Sequence, residues 1–503
     1  MANTIKIGSS HLALFVCLPI AILVGYLLAD PLQLASISII AILIGLLAIP
    51  MVIKWHQVLL IFSCNAIFQF SFLPGTPPLW LLATVLAFGI AVLNRCIDPA
   101  RPLYLGGSIA HSLLAIGVVV IVTGYLRGGA GLAAFGGSSF GGKRYIYVMA
   151  AIAAYFALAS QRVPENRRLF YATLFFAAGA TNVLSFFLDY GGSKFAFLDK
   201  VVPPDFNTDE VEMSGHRLFF LSGICSAGFF VMTIRYGIRG TFERYWRLGL
   251  MVLFLVGAML TGFRSAFGLL ALFYVCALFL EGLHRTRYFF IIIGCGLIFY
   301  LFLALFAQQL PWQIQRSISF LPIRVDPLIK LDAKGSVDWR VDMWKVVLPE
   351  VPQYFWEGKG YAIDPGGMFM SQVNSFTQLG TDSSDWAAFA GDYHNGPLSL
   401  IIPFGIWGFS AFVWFIGAAG RFLYKNYKYG DPALQKANCV LFAYFIAKTI
   451  SFFFLVGGFY GDLVAFTAVV GLAVSLNEDY ARAPLREVSP VLTLATQRIA
   501  KDL

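Results

Sequence analysis

The sequence predicts an all-α polytopic membrane protein with about 12–14 transmembrane helices and one large extracytoplasmic loop subdomain. Three observations carry that expectation. Hydrophobic residues make up 58% of the 503 positions and charged residues 13%, about half the charged share of a soluble domain. Phenylalanine alone occurs 49 times, which suits lipid-facing helices and interfacial aromatic belts. The apolar residues fall in long continuous runs, whereas a membrane β-barrel would alternate over short strands.

Taking roughly 20 apolar residues per crossing, fourteen spans are read. They lie near 12–29, 33–51, 56–73, 79–94, 103–125, 145–160, 169–188, 217–234, 248–263, 265–281, 288–308, 397–419, 437–456 and 463–477. The first run has no small-residue cleavage site and leads straight into a second, which argues against a cleavable signal peptide. The net charge of +9 is scattered over short connections, which reads as topology determination and not as a nucleic-acid footprint, so no nucleic-acid partner is expected. Arg95 and Arg101, then Arg162, Arg167 and Arg168, then Arg235, Arg239, Arg244 and Arg247 share one side. Arg285, Arg287, Arg421, Lys425, Lys428 and Lys436 join them. The positive-inside rule makes that side cytoplasmic and puts both termini there. All seven cysteines lie in or beside apolar runs, so neither a disulfide framework nor metal-ligand spacing is visible.

The chain divides into an amino-terminal transmembrane bundle (1–216), a core (217–420) and carboxy-terminal helices with a cytoplasmic tail (421–503). Two outer connections are long. The first, 189–216, is acidic, with Asp199, Asp205, Asp209, Glu210 and Glu212 and a Pro203–Pro204 break. The second, 309–396, belongs to the core and is large enough for a subdomain. It opens with Pro311–Trp312–Gln313, read as a helix at the interface. An amphipathic helix is expected over Asp338–Val351, and a Gly- and Ser-rich stretch leads on to Asp392–Gly396. A further outer connection, the glycine-rich Arg127–Arg144, carries Arg127, Lys143 and Arg144 against the positive-inside pattern.

Four features of the outer face point to chemistry. Arg264 sits in the very short turn Thr261–Ala266, where a charge is costly and the topology rule disfavours it. It either snorkels to a lipid phosphate or serves a ligand. Arg217, in Gly215–His216–Arg217, either pairs with the acidic loop or joins Arg264; two guanidiniums on one surface suit a pyrophosphate in bidentate geometry. His394, in Asp392–Tyr393–His394–Asn395–Gly396, is the histidine of the large loop and the group best suited to take a proton near neutral pH. Arg340 lies in Asp338–Trp339–Arg340, followed by Trp344 and by Glu357–Gly358–Lys359–Gly360–Tyr361. Around Arg340, a plain amphipathic helix capped by a turn accounts for the rest.

In order and spacing these elements resemble the O-antigen ligase and polymerase family of bacterial envelopes. Its G-S-R-x-A turn reads here Gly262–Phe263–Arg264–Ser265–Ala266. Its R-x-x-x-W stretch and G-x-G read Arg340–Val341–Asp342–Met343–Trp344 and Gly358–Lys359–Gly360. Its H-N-x-x-L and G-x-x-G read His394–Asn395–Gly396–Pro397–Leu398 and Gly405–Ile406–Trp407–Gly408. The resemblance covers roughly Arg217 to Gly408 and departs at Phe263, where the family has a small hydroxyl residue.

The resemblance implies a glycosyltransferase of the bacterial inner membrane with a periplasmic site. It would take a glycan from an undecaprenyl-pyrophosphate donor and pass it, with inversion, to a sugar, a lipid A core or a protein hydroxyl. Arg217 and Arg264 would hold the pyrophosphate, and His394 would orient or deprotonate the acceptor hydroxyl. Arg340 and Asn395 would be auxiliary. Neither a metal nor a cofactor is implied, in keeping with the lack of an Asp-x-Asp pair. The rival reading is a flippase of lipid-linked oligosaccharide, which should carry charged residues inside its helices; here Lys448 is the clearest such residue.

Overall fold

The computed structural model describes residues 50–98, 107–128, 141–203, 217–362, 391 and 393–477, with residues 21 and 25. The expected spans 12–29 and 33–51 fall almost wholly outside them. So do Pro204, Asp205, Asp209, Glu210, Glu212, Gly215, His216, Asp392, the stretches 129–140 and 363–390, and the tail 478–503. Contacts divide the chain into Met1–His56 and Gln57–Leu503. Of the first unit, residues 50–56 are helical; the second is described below.

Among the described residues the second unit is helical, without a β-strand. Eight helical segments are long and apolar enough to cross a membrane, and Tyr245–Leu260 and Arg264–Leu280 are shorter apolar helices. This is an all-α polytopic membrane protein. The crossing expected at 56–73 needs correction, because the helix ends at residue 63 and a turn follows, closed by a bridge between Gln69 and Pro78. The amides there bond outside the segment: Ile67 N–H to Thr181 Oγ1 at 3.1 Å and Gln69 N–H to the Val201 carbonyl at 2.9 Å. An apolar run therefore need not be a helix where neighbouring segments supply the acceptors.

Small residues set the packing. Gly142–Ala159 lies along Phe459–Leu476, where a Cβ on Gly471 would stand 2.9 Å from Leu158 Cβ; such close approach is how membrane helices gain contact without a hydrophobic driving force. Arg287–Phe306 differs, since only 6% of its apolar window is buried by the described residues. The arginine-rich end of the bundle is closed by polar ties. Glu281 accepts from the Ile238 and Arg239 amides at 2.8 and 3.1 Å, and Asn438 and Asn477 exchange two side-chain bonds of 2.9 Å.

At the other end, the 34-residue helix Gly396–Tyr429 fixes the scaffold. Asn395 caps it by accepting from Leu398 N–H at 3.1 Å, with proline in the first turn. Pro403 and Gly405 (φ 64°) then kink it. The freed backbone groups are taken up by the segment 355–360. Lys359 and Gly360 amides donate to the Ile402 and Pro403 carbonyls at 2.7 and 2.9 Å, and Ile406 N–H donates to the Phe355 carbonyl at 2.7 Å. A Cβ on Gly358 would stand 2.3 Å from the Pro403 oxygen, and one on Gly405 2.8 Å from the Phe355 oxygen. Both glycine patterns thus serve this backbone contact.

Replacing Gly405 with Ala should therefore cost at least about 2 kcal/mol, from left-handed strain plus overlap. Gly417→Ala, in the same helix with nothing within 4 Å, should be neutral or stabilising by up to about 1 kcal/mol. Thermal unfolding in detergent measures both; equal melting points would remove the kink from its structural role.

Candidate functional site

The turn between Tyr245–Leu260 and Arg264–Leu280 is built by Gly262 at φ 73°, a conformation suited to glycine. Thr261 Oγ1 donates back to the Ala258 carbonyl at 2.8 Å and accepts from Phe263 N–H at 3.1 Å. On this turn rests the short helix Trp312–Ile318. Its Arg316, 4% exposed, donates from Nη1 to the Gly262 carbonyl at 2.7 Å, from Nε to Asp332 at 2.6 Å and from Nη2 to Ser336 at 2.9 Å. Asp332 and Ser336 belong to the loop helix Pro327–Val347, which is longer and starts earlier than the amphipathic helix expected over Asp338–Val351. One guanidinium thereby joins three segments. A small core of Met259, Leu303, Ala307, Ile314 and Ile318 supports the contact.

Around Arg316 stand the three arginines singled out from the sequence. Arg264 donates from Nη2 to the Ala333 carbonyl at 2.9 Å and lies within electrostatic reach of Arg316, Arg340, Arg217 and Asp332. Arg217, where the chain enters Phe219–Thr241, places its guanidinium over the Phe263 ring at 5.6 Å. Its neighbour Leu218 bonds to the Thr261 carbonyl at 3.2 Å. Arg340 is half-buried with no hydrogen-bond or ion-pair partner among the described residues. Burial, then the charges of Arg316 and Arg217, pull its guanidinium below the ordinary value, though arginine stays cationic at neutral pH. Asp332, the carboxylate bearing on Arg264, is already bound to Arg316. Among the described residues the group therefore holds a surplus of positive charge beside a partly desolvated surface, the electrostatics of an anion site.

His394 is brought to this region by a second set of contacts. Trp344 Nε1 donates to the Tyr393 carbonyl at 2.8 Å, and Met343, Val347, Tyr393, Leu398 and Ile402 form a further small core. The His394 backbone has φ 46°, uncommon outside glycine, and is held there by the Trp344 bond on one side and the Asn395 cap on the other. Its imidazole lies 5.5 Å from the Trp339 ring, next to Arg340 in sequence. Asn395 thus uses its side-chain oxygen for the cap.

A cavity of about 340 Å³ opens beside His394. Phe263 and Ser265, on either side of Arg264, line it, as do Lys448, Ser451, Tyr460 and Asp462. Phe263 is shared: its ring lies under the Arg217 guanidinium, and the residue also lines the cavity. The cations of the connection 127–144 are used otherwise. Arg127 pairs with Glu357 at 2.6 Å and bonds to the Gly358 carbonyl, and Arg144 lies over the Tyr460 and Tyr361 rings at 4.8 and 5.6 Å.

The sequence reading did not single out Arg316, Asp332, Ser336 or Asp462. Arg316 carried one available signal, a cation one helical turn after Trp312 in a segment that follows a long apolar run; Asp462 carried another, a carboxylate opening the last apolar run.

Residues 249–413 match the family model described as O-antigen ligase. The matched region contains Arg264, Arg316, Arg340 and His394, while Arg217, Lys448 and Asp462 lie outside it. No curated protein matches the chain.

Arg316→Met should lower stability by about 3 kcal/mol, since it leaves Asp332 and the Gly262 carbonyl without their partner. Arg340→Met should change stability by less than about 1 kcal/mol. Thermal unfolding of the two variants in detergent measures the difference; comparable losses would contradict the separate roles described for the two guanidiniums.

Proposed function

We propose that this membrane protein, which carries an O-antigen ligase domain over residues 249–413, transfers a glycan from an undecaprenyl-pyrophosphate donor to an acceptor hydroxyl at the periplasmic face of the bacterial inner membrane. The observation that carries the proposal is the surplus of guanidinium around the turn 261–264 next to a cavity containing His394. Arg217 and Arg264 bind the pyrophosphate and offset the charge that grows on it as it leaves. Arg340, without a partner of its own among the described residues, is an auxiliary phosphate or acceptor contact. Arg316 is committed to Asp332, Ser336 and Gly262 and holds the turn in place.

The reaction is a single displacement. The acceptor oxygen attacks the anomeric carbon, the bond from that carbon to the pyrophosphate oxygen breaks, and its electron pair leaves with undecaprenyl pyrophosphate. The hydroxyl proton passes to the His394 imidazole. One displacement inverts the linkage. Guanidinium charge takes the part that a divalent cation plays in other glycan transferases, so transfer is expected to need no metal. The acceptor is a sugar of the lipid A core, a further repeat unit or a protein hydroxyl.

The test uses purified protein in proteoliposomes, an undecaprenyl-pyrophosphate glycan, a panel of these acceptors and EDTA throughout. Wild type should consume the donor, and Arg264→Ala and His394→Ala should each lower transfer by about 100-fold or more. A donor that crosses the bilayer chemically intact would make the protein a flippase and overturn the proposal. Full activity of His394→Ala would remove the base.

A further inference from the structure

Lys448 and Asp462 form a largely buried ion pair, with Nζ to Oδ1 at 2.6 Å and exposures of 16% and 20%. Both residues line the cavity that contains His394. Neither belongs to the arginine group, and both lie beyond the matched region 249–413. A charged pair within an apolar bundle carries a desolvation cost that its attraction often fails to repay, and ionisable groups at such depth commonly mark a ligand path. The local backbone is unusual as well. The helix Gln435–Ile450 passes into a π-turn over Ser451–Leu455, a distortion frequent at functional sites. Gly458 N–H donates to the second Asp462 oxygen at 3.0 Å, fixing the carboxylate from the other side.

We infer that this pair is the sugar-binding part of the acceptor site, with Lys448 and Asp462 holding neighbouring hydroxyls of the acceptor ring while His394 takes the proton from the attacking one. The inference rests on the transfer reaction proposed above. The Lys448 ammonium has three protons, and among the described residues Asp462 is the acceptor it meets. Asp462 uses one lone pair on each oxygen for Lys448 and Gly458, leaving the others for a ligand. A donor beside an acceptor matches a pair of hydroxyls, each of which can both give and receive. A phosphate would meet the Asp462 carboxylate, and a cation would meet Lys448, so a neutral polyol fits better than either. Ser451 and the Tyr460 ring add a hydroxyl and an aromatic wall. Gly457, Gly458 and Gly461 also line the cavity, and at Gly461, where a Cβ would meet nothing within 4 Å, a ring can approach the backbone. At about 340 Å³ the space lies at the small end of the range of ligand pockets and suits roughly one or two rings, leaving the rest of the glycan outside.

The experiment compares wild type with two double variants in the same proteoliposome assay: Lys448→Met with Asp462→Leu, and the swap Lys448→Asp with Asp462→Lys. Neither leaves a lone buried charge, but both take the acceptor from Gly458 N–H, so thermal unfolding in detergent establishes that each is folded before KM is read; a merely structural pair would leave the acceptor KM of the folded protein unchanged. The acceptors offered are a soluble lipid A core oligosaccharide, a free repeat-unit oligosaccharide and a serine peptide. For the sugar that wild type uses, both variants should raise the acceptor KM by roughly 10- to 100-fold, the loss expected for hydrogen bonds to charged groups, with the donor KM unchanged. An unchanged acceptor KM, an equal rise in donor KM, or transfer by wild type to the peptide alone would overturn the inference while leaving the transfer reaction standing. Absence of transfer by wild type would overturn both.

Discussion

The Arg316 guanidinium is the contact on which the arrangement of the site depends. Its three hydrogen bonds reach a turn between two apolar helices, a carboxylate and a hydroxyl on the loop helix Pro327–Val347. Without them the described link between the turn that carries Arg264 and the helix that carries Arg340 would be the bond from Arg264 to the Ala333 carbonyl. Arginine suits the place because its planar fork can serve several acceptors at once while remaining charged. Burying it also raises the local potential, so the group that organises the turn adds to the field felt by Arg264 and Arg340.

A second constraint comes from the backbone. The kink at Pro403 and Gly405 exposes carbonyls that the helix cannot satisfy, and the segment 355–360 satisfies them. That pairing anchors the segment after the loop helix about two to three helical turns from His394. The histidine is thus held between a capped helix start and a loop helix fastened at both ends, once through Arg316 and once through the core around Met343. Such support from packing and backbone bonds is what a group that must meet a substrate to within a fraction of an ångström requires.

Much of this was legible in the sequence. The long apolar runs announced the helices, and Arg264 in its very short turn marked the place around which Arg217, Arg316 and Arg340 gather. The error at 56–73 has a clear cause: hydropathy registers the absence of charge but not where amides find acceptors, and here Thr181 and Val201 provide them. Arg316 was passed over because a partner 16 residues away on another helix leaves no periodic signal. Lys448 stood out as an exception among apolar residues, but its meaning depends on Asp462, which only folding brings within 2.6 Å. The glycine patterns were visible as patterns; their use as a backbone contact required the φ angles.

Phe263 holds a place where the resembled family carries a hydroxyl; the Arg217 guanidinium lies over its ring, and the residue also lines the cavity that contains His394. A phenyl ring can neither donate a hydrogen bond to a phosphate nor hold a water molecule in line with one. At this point the cation group and the space around His394 therefore share an apolar residue. For the transfer reaction proposed above, an apolar side chain at this point would leave fewer water molecules to compete with the acceptor for the anomeric carbon.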